Sequence, residues 1–68
     1  MDLGSFIKTS RLTQCLTQEE LANKCKVNRV QVWKWETNQA KPSLENVKAL
    51  SKALSCEPKE IIEKMERR

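Results

Sequence analysis

Lys24, Lys26, Arg29, Lys34 and Lys41 crowd into one short stretch of the chain, and Glu36 is the only acid among them. Ammonium and guanidinium groups at this density attract anions, and a guanidinium fork matches phosphate oxygens and the edge of guanine. Elsewhere acids and bases cancel, so the net charge of +4 belongs to this stretch. Charge alone fits a solvated face equally well. Two apolar side chains, Val30 and Trp33, also stand among the cations. A purely solvated face has no use for them, whereas a surface that meets a partner does.

Other site chemistries lack their parts. There is no histidine, and Cys15, Cys25 and Cys56 lack the paired spacing of a zinc ligand set. No metal and no cofactor is therefore expected. A chain with one glycine has no glycine-rich phosphate loop. Nor does it pair carboxylates for acid–base work, so an enzyme is not expected. An odd number of cysteines argues against a disulfide scaffold and for a reducing, cytoplasmic setting. Cys25 falls on the apolar side of its helix, Cys56 takes a small apolar position before Pro58, and Cys15 lies in a loop. Apolar residues never run beyond two in succession, which removes a membrane span and a signal peptide.

Five helices must position these residues, and their ends are marked. Asp2 caps a first helix from Leu3 to about Thr13, with Leu3, Phe6 and Ile7 inward. Thr17-Gln18-Glu19-Glu20 is a capping box in which the Thr17 hydroxyl accepts the Glu20 amide while the Glu20 carboxylate reaches back. It opens a second helix over Gln18–Cys25. Asn28 caps a third, from Arg29 to about Thr37. Ser43 caps a fourth over Leu44, Val47, Leu50, Ala53 and Leu54, spaced by three and four residues. Pro58 starts the last, since proline at the first helical position forgoes no hydrogen bond. No segment alternates with period two over strand length. Residues 1–68 therefore read as one compact all-α domain with a modest core.

Only Lys26-Val27-Asn28 separates the second helix from the third, so the two must cross steeply. That is the helix-turn-helix arrangement, whose second helix can enter a DNA major groove. The run LTQEELANKCKVNRVQVWKWETNQAKPSLENVKALSKAL resembles the Cro/repressor-type helix-turn-helix family of phage regulators, restriction–modification controller proteins and some antitoxins. The matching pieces are Leu16 through Ala22, Val27, Val32, Trp35-Glu36, Lys41-Pro42-Ser43-Leu44 and Leu54. The likeness runs from about Leu3 to Ile61 and implies a five-helix domain of the lambda-repressor-like type. Two departures stand out. The family often has glycine where Lys26 and Asn38 stand, so Lys26 is strained if its backbone turns left-handed, a conformation Asn38 tolerates better. A leucine is common where Ser10 stands, so the first helix is expected to pack less well there.

At 100° per residue, Val32 and Trp35 share a sector of about 60° that faces the core. Val30, Lys34 and Thr37 lie opposite, flanked by Gln31 and Trp33. Arg29 can fork onto guanine O6 and N7, Val30 can meet a thymine methyl, and Lys34 can reach a guanine or a phosphate. The resemblance places these same three positions on base edges. Trp33 is expected against the sugar–phosphate backbone, a base or a second subunit. The phosphate candidates are Gln18, Lys26, Asn38, Gln39 and Lys41. Gln18 starts a helix, where free amides favour an anion, and the resemblance implies a phosphate contact there too. The resemblance further implies that Arg11, on the inner side of the first helix, pairs with Glu36. Such a pair sets the angle of the third helix more than it adds net stability.

In the last helix Ile61 is in register with the family's core position. Ile62 and Met65 then share another, partly exposed edge and are the candidate dimer surface; the fourth helix and the loop before it are the alternative. One short reading helix makes few base contacts, so a homodimer on a pseudo-palindromic operator of double-stranded DNA is expected. The function that fits is a sequence-specific transcriptional regulator, and a chain this short suits a small Cro-like repressor or controller protein. The alternative is a protein-interaction module, such as an antitoxin, in which DNA binding is secondary. The cations on the third helix favour DNA. No small-molecule ligand and no membrane partner is evident.

Overall fold

Four helix N-termini are closed by the side chains that the sequence marks for that role. The computed structural model describes residues 2–66; residues 1, 67 and 68 of the expected 1–68 domain lie outside the described residues. Among the described residues there are five helices and no strand: α1 (Leu3–Thr13), α2 (Gln18–Cys25), α3 (Arg29–Glu36), α4 (Leu44–Leu54) and α5 (Pro58–Glu66). The Asp2 carboxylate accepts the Ser5 amide at 2.8 Å and the Asn28 side chain accepts the Gln31 amide at 3.0 Å. Ser43 accepts the Asn46 amide at 3.3 Å. The capping box is closed both ways: Glu20 N–H donates to Thr17 Oγ1 at 3.0 Å, and Thr17 N–H to Glu20 Oε1 at 2.8 Å. Each such cap satisfies an amide that the helix itself leaves unpaired.

The first four helices end in one kind of reversal. Cys15, Lys26, Asn38 and Ser55 take φ between 56° and 62°. The amide after each reaches back five residues, from Leu16 to Arg11, Val27 to Ala22, Gln39 to Lys34 and Cys56 to Ser51, at 2.8–3.1 Å. Glycine usually occupies this left-handed stop because it lacks a Cβ. All four positions here carry side chains; Lys26 is strained there as anticipated, and Asn38 takes the same conformation more easily. The third helix stops one residue early: Thr37 is its cap, with Oγ1 donating to the Trp33 carbonyl at 2.9 Å.

Trp35 is fully buried at the centre of the core, with Ile7, Leu21, Val32, Val47, Leu50 and Ile61. Among the described residues its indole Nε1–H has no hydrogen-bond partner. Helix α2 packs on both α3 and α4, α1 braces α3, and α5 closes over α4 and α1. The Lys64 ammonium rests 5.0 Å from the Phe6 ring and ties α5 to α1. Ser10 is half-buried where a leucine would fill the α1 packing. Leu44 departs from the expected stripe and is 68% exposed. At 100° per residue it lies roughly 90° from the centre of the Val47, Leu50 and Leu54 face, so the inward stripe begins one turn later.

Candidate nucleic-acid interface

The outer face of α3 carries the expected reading set. Arg29 and Lys34 are exposed, Val30 is 53% exposed and Trp33 is 44% exposed. On the inner face Val32 and Trp35 have no exposure at all. A buried inner face makes the outer one a fixed display rather than a mobile one. Two cations and two apolar groups are thereby held on one surface of a short helix.

Glu36, at the end of α3, is where three helices meet. Its Oε2 accepts from Arg11 Nε at 2.6 Å, and its Oε1 accepts from Arg11 Nη2 at 3.3 Å and from Gln18 Nε2 at 3.0 Å. Arg11 Nη1 also donates to the Leu16 carbonyl at 2.7 Å. The Arg11 and Glu36 side chains are only 9% and 4% exposed. A single carboxylate therefore binds the inner side of α1, the first residue of α2 and the end of α3. The Gln18 amide has two N–H groups, so one is held by Glu36 while the other remains for an outside acceptor at the start of α2. The link between Gln18 and Glu36 spans 18 positions in the chain, and no local spacing announces it.

A second clamp joins the start of α1 to the end of α3. Gly4 N–H donates to Asn38 Oδ1 at 3.0 Å. A Cβ on Gly4 would lie 2.4 Å from the Glu36 carbonyl oxygen, so this helical position admits glycine alone without a shift. The Asp2 carboxyl is held below its usual range, chiefly by the Ser5 backbone amide, then by the Ser5 side chain and the Asn38 side-chain amide. Asn38 thus spends its side chain on α1, although it stands among the expected phosphate contacts. Gly4 is the chain's only glycine, and its place inside a helix is the signal that could have singled it out.

The remaining candidates are spread around these clamps. Lys26 and Gln39 are exposed. Lys41 Nζ lies 3.5 Å from the Met65 carbonyl, a long contact that leaves its charge facing outward beside α5. Ile62 and Met65 are half-buried and pack against the core, so α5 offers less free apolar surface than Leu44 or Leu12, which is 56% exposed. Cys25 is buried, Cys56 half-buried and Cys15 exposed. Burial pushes the Cys25 thiol up. Burial also raises Cys56, with Glu60 and Glu57 adding to it. Among the described residues no three potential ligands come together to hold a metal ion.

Residues 7–61 match the model of the helix-turn-helix family. The chain is 36% identical to the HTH-type transcriptional regulator DicA of Escherichia coli (strain K12) over 58 residues, which is 85% of this chain and 43% of that protein. It is 31% identical to the control protein C.BamHI of Bacillus amyloliquefaciens, across 88% of this chain and 75% of that one. The chain therefore spans less than half of DicA and three quarters of C.BamHI. The fold superposes on the crystal structure of the P22 c2 repressor in complex with a synthetic operator with a TM-score of 0.89 and 31% identity. That match covers 94% of this chain and 97% of the repressor chain. With the order of helices, the short turn before α3 and likeness along most of its length in agreement, the chain belongs to the helix-turn-helix family.

Proposed function

We propose that this chain is a DNA-binding transcriptional regulator that places α3 in the major groove of double-stranded DNA. The observation that carries the reading is the α3 surface: Arg29, Val30, Trp33 and Lys34 face solvent together while Trp35 and Glu36 lock the opposite side into the core. Arg29, Lys34 and Val30 supply a guanine fork, a second cation and a methyl contact, with Trp33 beside them. Gln18, Gln39 and Lys41 engage phosphates, Lys26 lies at the turn on the side of α2 and α4, and Asn38 contributes through its backbone. The P22 c2 repressor, whose structure is that of an operator complex, supports this use of the fold.

The described residues extend 28 Å along their longest axis. One turn of B-DNA is about 34 Å, so a copy of this size matches one half-site, and a homodimer on a pseudo-palindrome is the arrangement proposed. Leu44 is exposed at the start of α4, and Ile62 and Met65 are half-buried on α5. These three apolar side chains are the proposed dimer contact. The protein would act in the cytoplasm, where the DNA is. Selection of sites from random duplexes tests the reading: an inverted repeat with half-sites about 10–10.5 base pairs apart should emerge. Affinity should fall by roughly 0.9 log units per log unit of salt for each phosphate neutralised. No enriched sequence, together with salt-insensitive binding, would overturn it.

A further inference from the structure

Four ammonium groups surround one cleft that the α3 surface does not include. Lys24 and Lys26, from the end of α2 and the turn, face Lys48 and Lys52 of α4 across a space of about 430 Å³. Its floor is made of Cys25, Ala49 and Ala53, all small. Arg11 and Glu36 form the ion pair found among the described residues, and none of these four lysines is in one. The cleft lies between α2 and α4, whereas α3 packs on α2 and α1, so α2 stands between the cleft and the α3 surface.

Two features of this cluster are locally unfavourable. Lys48 and Lys52 are four apart on one helix, where like charges repel. Lys26 sits at φ 59°, a conformation that glycine would adopt without strain. An anion bridging the two sides would relieve both the repulsion within α4 and that across the cleft. The shape narrows the choice of anion. A phosphate backbone needs a line of cations and has no use for an apolar floor. An acidic peptide that carries an apolar side chain uses both, with the side chain on Ala49 and Ala53 and carboxylates on the lysines.

We propose that the α2–α4 cleft is a docking surface for an acidic segment of a partner protein, one apolar side chain flanked by carboxylates, and that it remains open while α3 is on DNA. A fluorescein-labelled peptide of glutamates around a central leucine, followed by anisotropy at low salt, tests this. Lys48→Glu combined with Lys52→Glu should weaken peptide binding at least tenfold, and replacing the peptide's leucine with serine should weaken it severalfold. Lys26→Gly removes a rim charge while relaxing the backbone. It should weaken the peptide severalfold without lowering Tm, which separates loss of the site from loss of the fold. Lys34→Ala should leave peptide binding unchanged, and saturating duplex DNA should not displace the peptide. The proposal fails if DNA competes with the peptide and Lys34→Ala weakens it as much as the α4 pair does, because the α3 surface is then the peptide's site. It also fails if the α4 pair lowers duplex affinity as strongly as Lys34→Ala, which would make the cleft part of the nucleic-acid footprint. Equal binding of inorganic polyphosphate and of both peptides would overturn it too, since the floor would then play no part.

Discussion

Val30 separates reading from folding at the scale of one side chain. More than half of it is exposed, and it sits on the opposite side of α3 from Val32 and Trp35. On the proposed reading, truncation to alanine removes a methyl contact from the DNA side and leaves the core untouched. Val30→Ala should cost about 1–3 kcal/mol on the selected site and relax preference at one base pair, with Tm unchanged. Competition titration against single-base variants checks it; a large fall in Tm with base preference intact would put Val30 in the wrong phase. Gly4 is the converse case. A methyl there meets the backbone oxygen of Glu36, which cannot swing aside as the tip of a flexible side chain can. Overpacking of this kind costs about 1–3 kcal/mol, offset in part by the better helix propensity of alanine. Gly4→Ala should therefore destabilise by about 1–2 kcal/mol in a urea melt. Because the displaced atom belongs to α3, it should also weaken DNA binding, although Gly4 itself is buried in α1.

Between elements, the angle of α3 rests on Glu36. Removing this carboxylate leaves the Arg11 guanidinium buried without a counter-charge and frees the Gln18 amide at once. Glu36→Ala should cost about 3–5 kcal/mol, a large share of the stability of so small a domain. Pairing it with Arg11→Met should recover much of that loss. A double-mutant cycle by thermal melting gives the coupling, and a value near zero would make the pair energetically inert. Helix starts were legible in the sequence because a cap acts over three residues: Asp2, Thr17, Asn28 and Ser43 each bond within that distance. The phase of α3 was legible for the same local reason. The clamps were not, since Gly4 meets Asn38 across 34 positions and Gln18 meets Glu36 across 18. Nor was the basic cleft, whose lysines come from two distant parts of the chain. Leu44 belonged by spacing to the apolar run of α4, but at 100° per residue it falls off the inward stripe and is exposed.

For the molecule as a whole, the proposed homodimer has to bring two copies together on one face. Leu44 is the most exposed of the large apolar side chains, while Ile62 and Met65 are half-covered by their own core. Leu44→Glu should abolish cooperative operator binding and leave both the fold and weak non-specific binding in place. Ile62→Glu should do the same with some loss of stability, because part of that side chain is buried. Sedimentation equilibrium with and without operator duplex reads the outcome. A small contact should leave the free protein largely monomeric at micromolar concentration and dimeric on the duplex. If both variants still bind operator cooperatively, the two-fold contact lies on another face, of which the exposed Leu12 on α1 marks one.

The two tryptophans of α3 turn the molecule into its own optical instrument. They are the only ones in a chain without tyrosine, two residues apart, one at 44% exposure and the other at none. Trp35, fully buried, should emit in the blue and be inaccessible to iodide until the chain unfolds. Trp33 should emit to the red, be quenched readily by iodide, and lose that access when α3 is covered. A label-free recording can thus follow folding on one chromophore and occupancy of the α3 surface on the other.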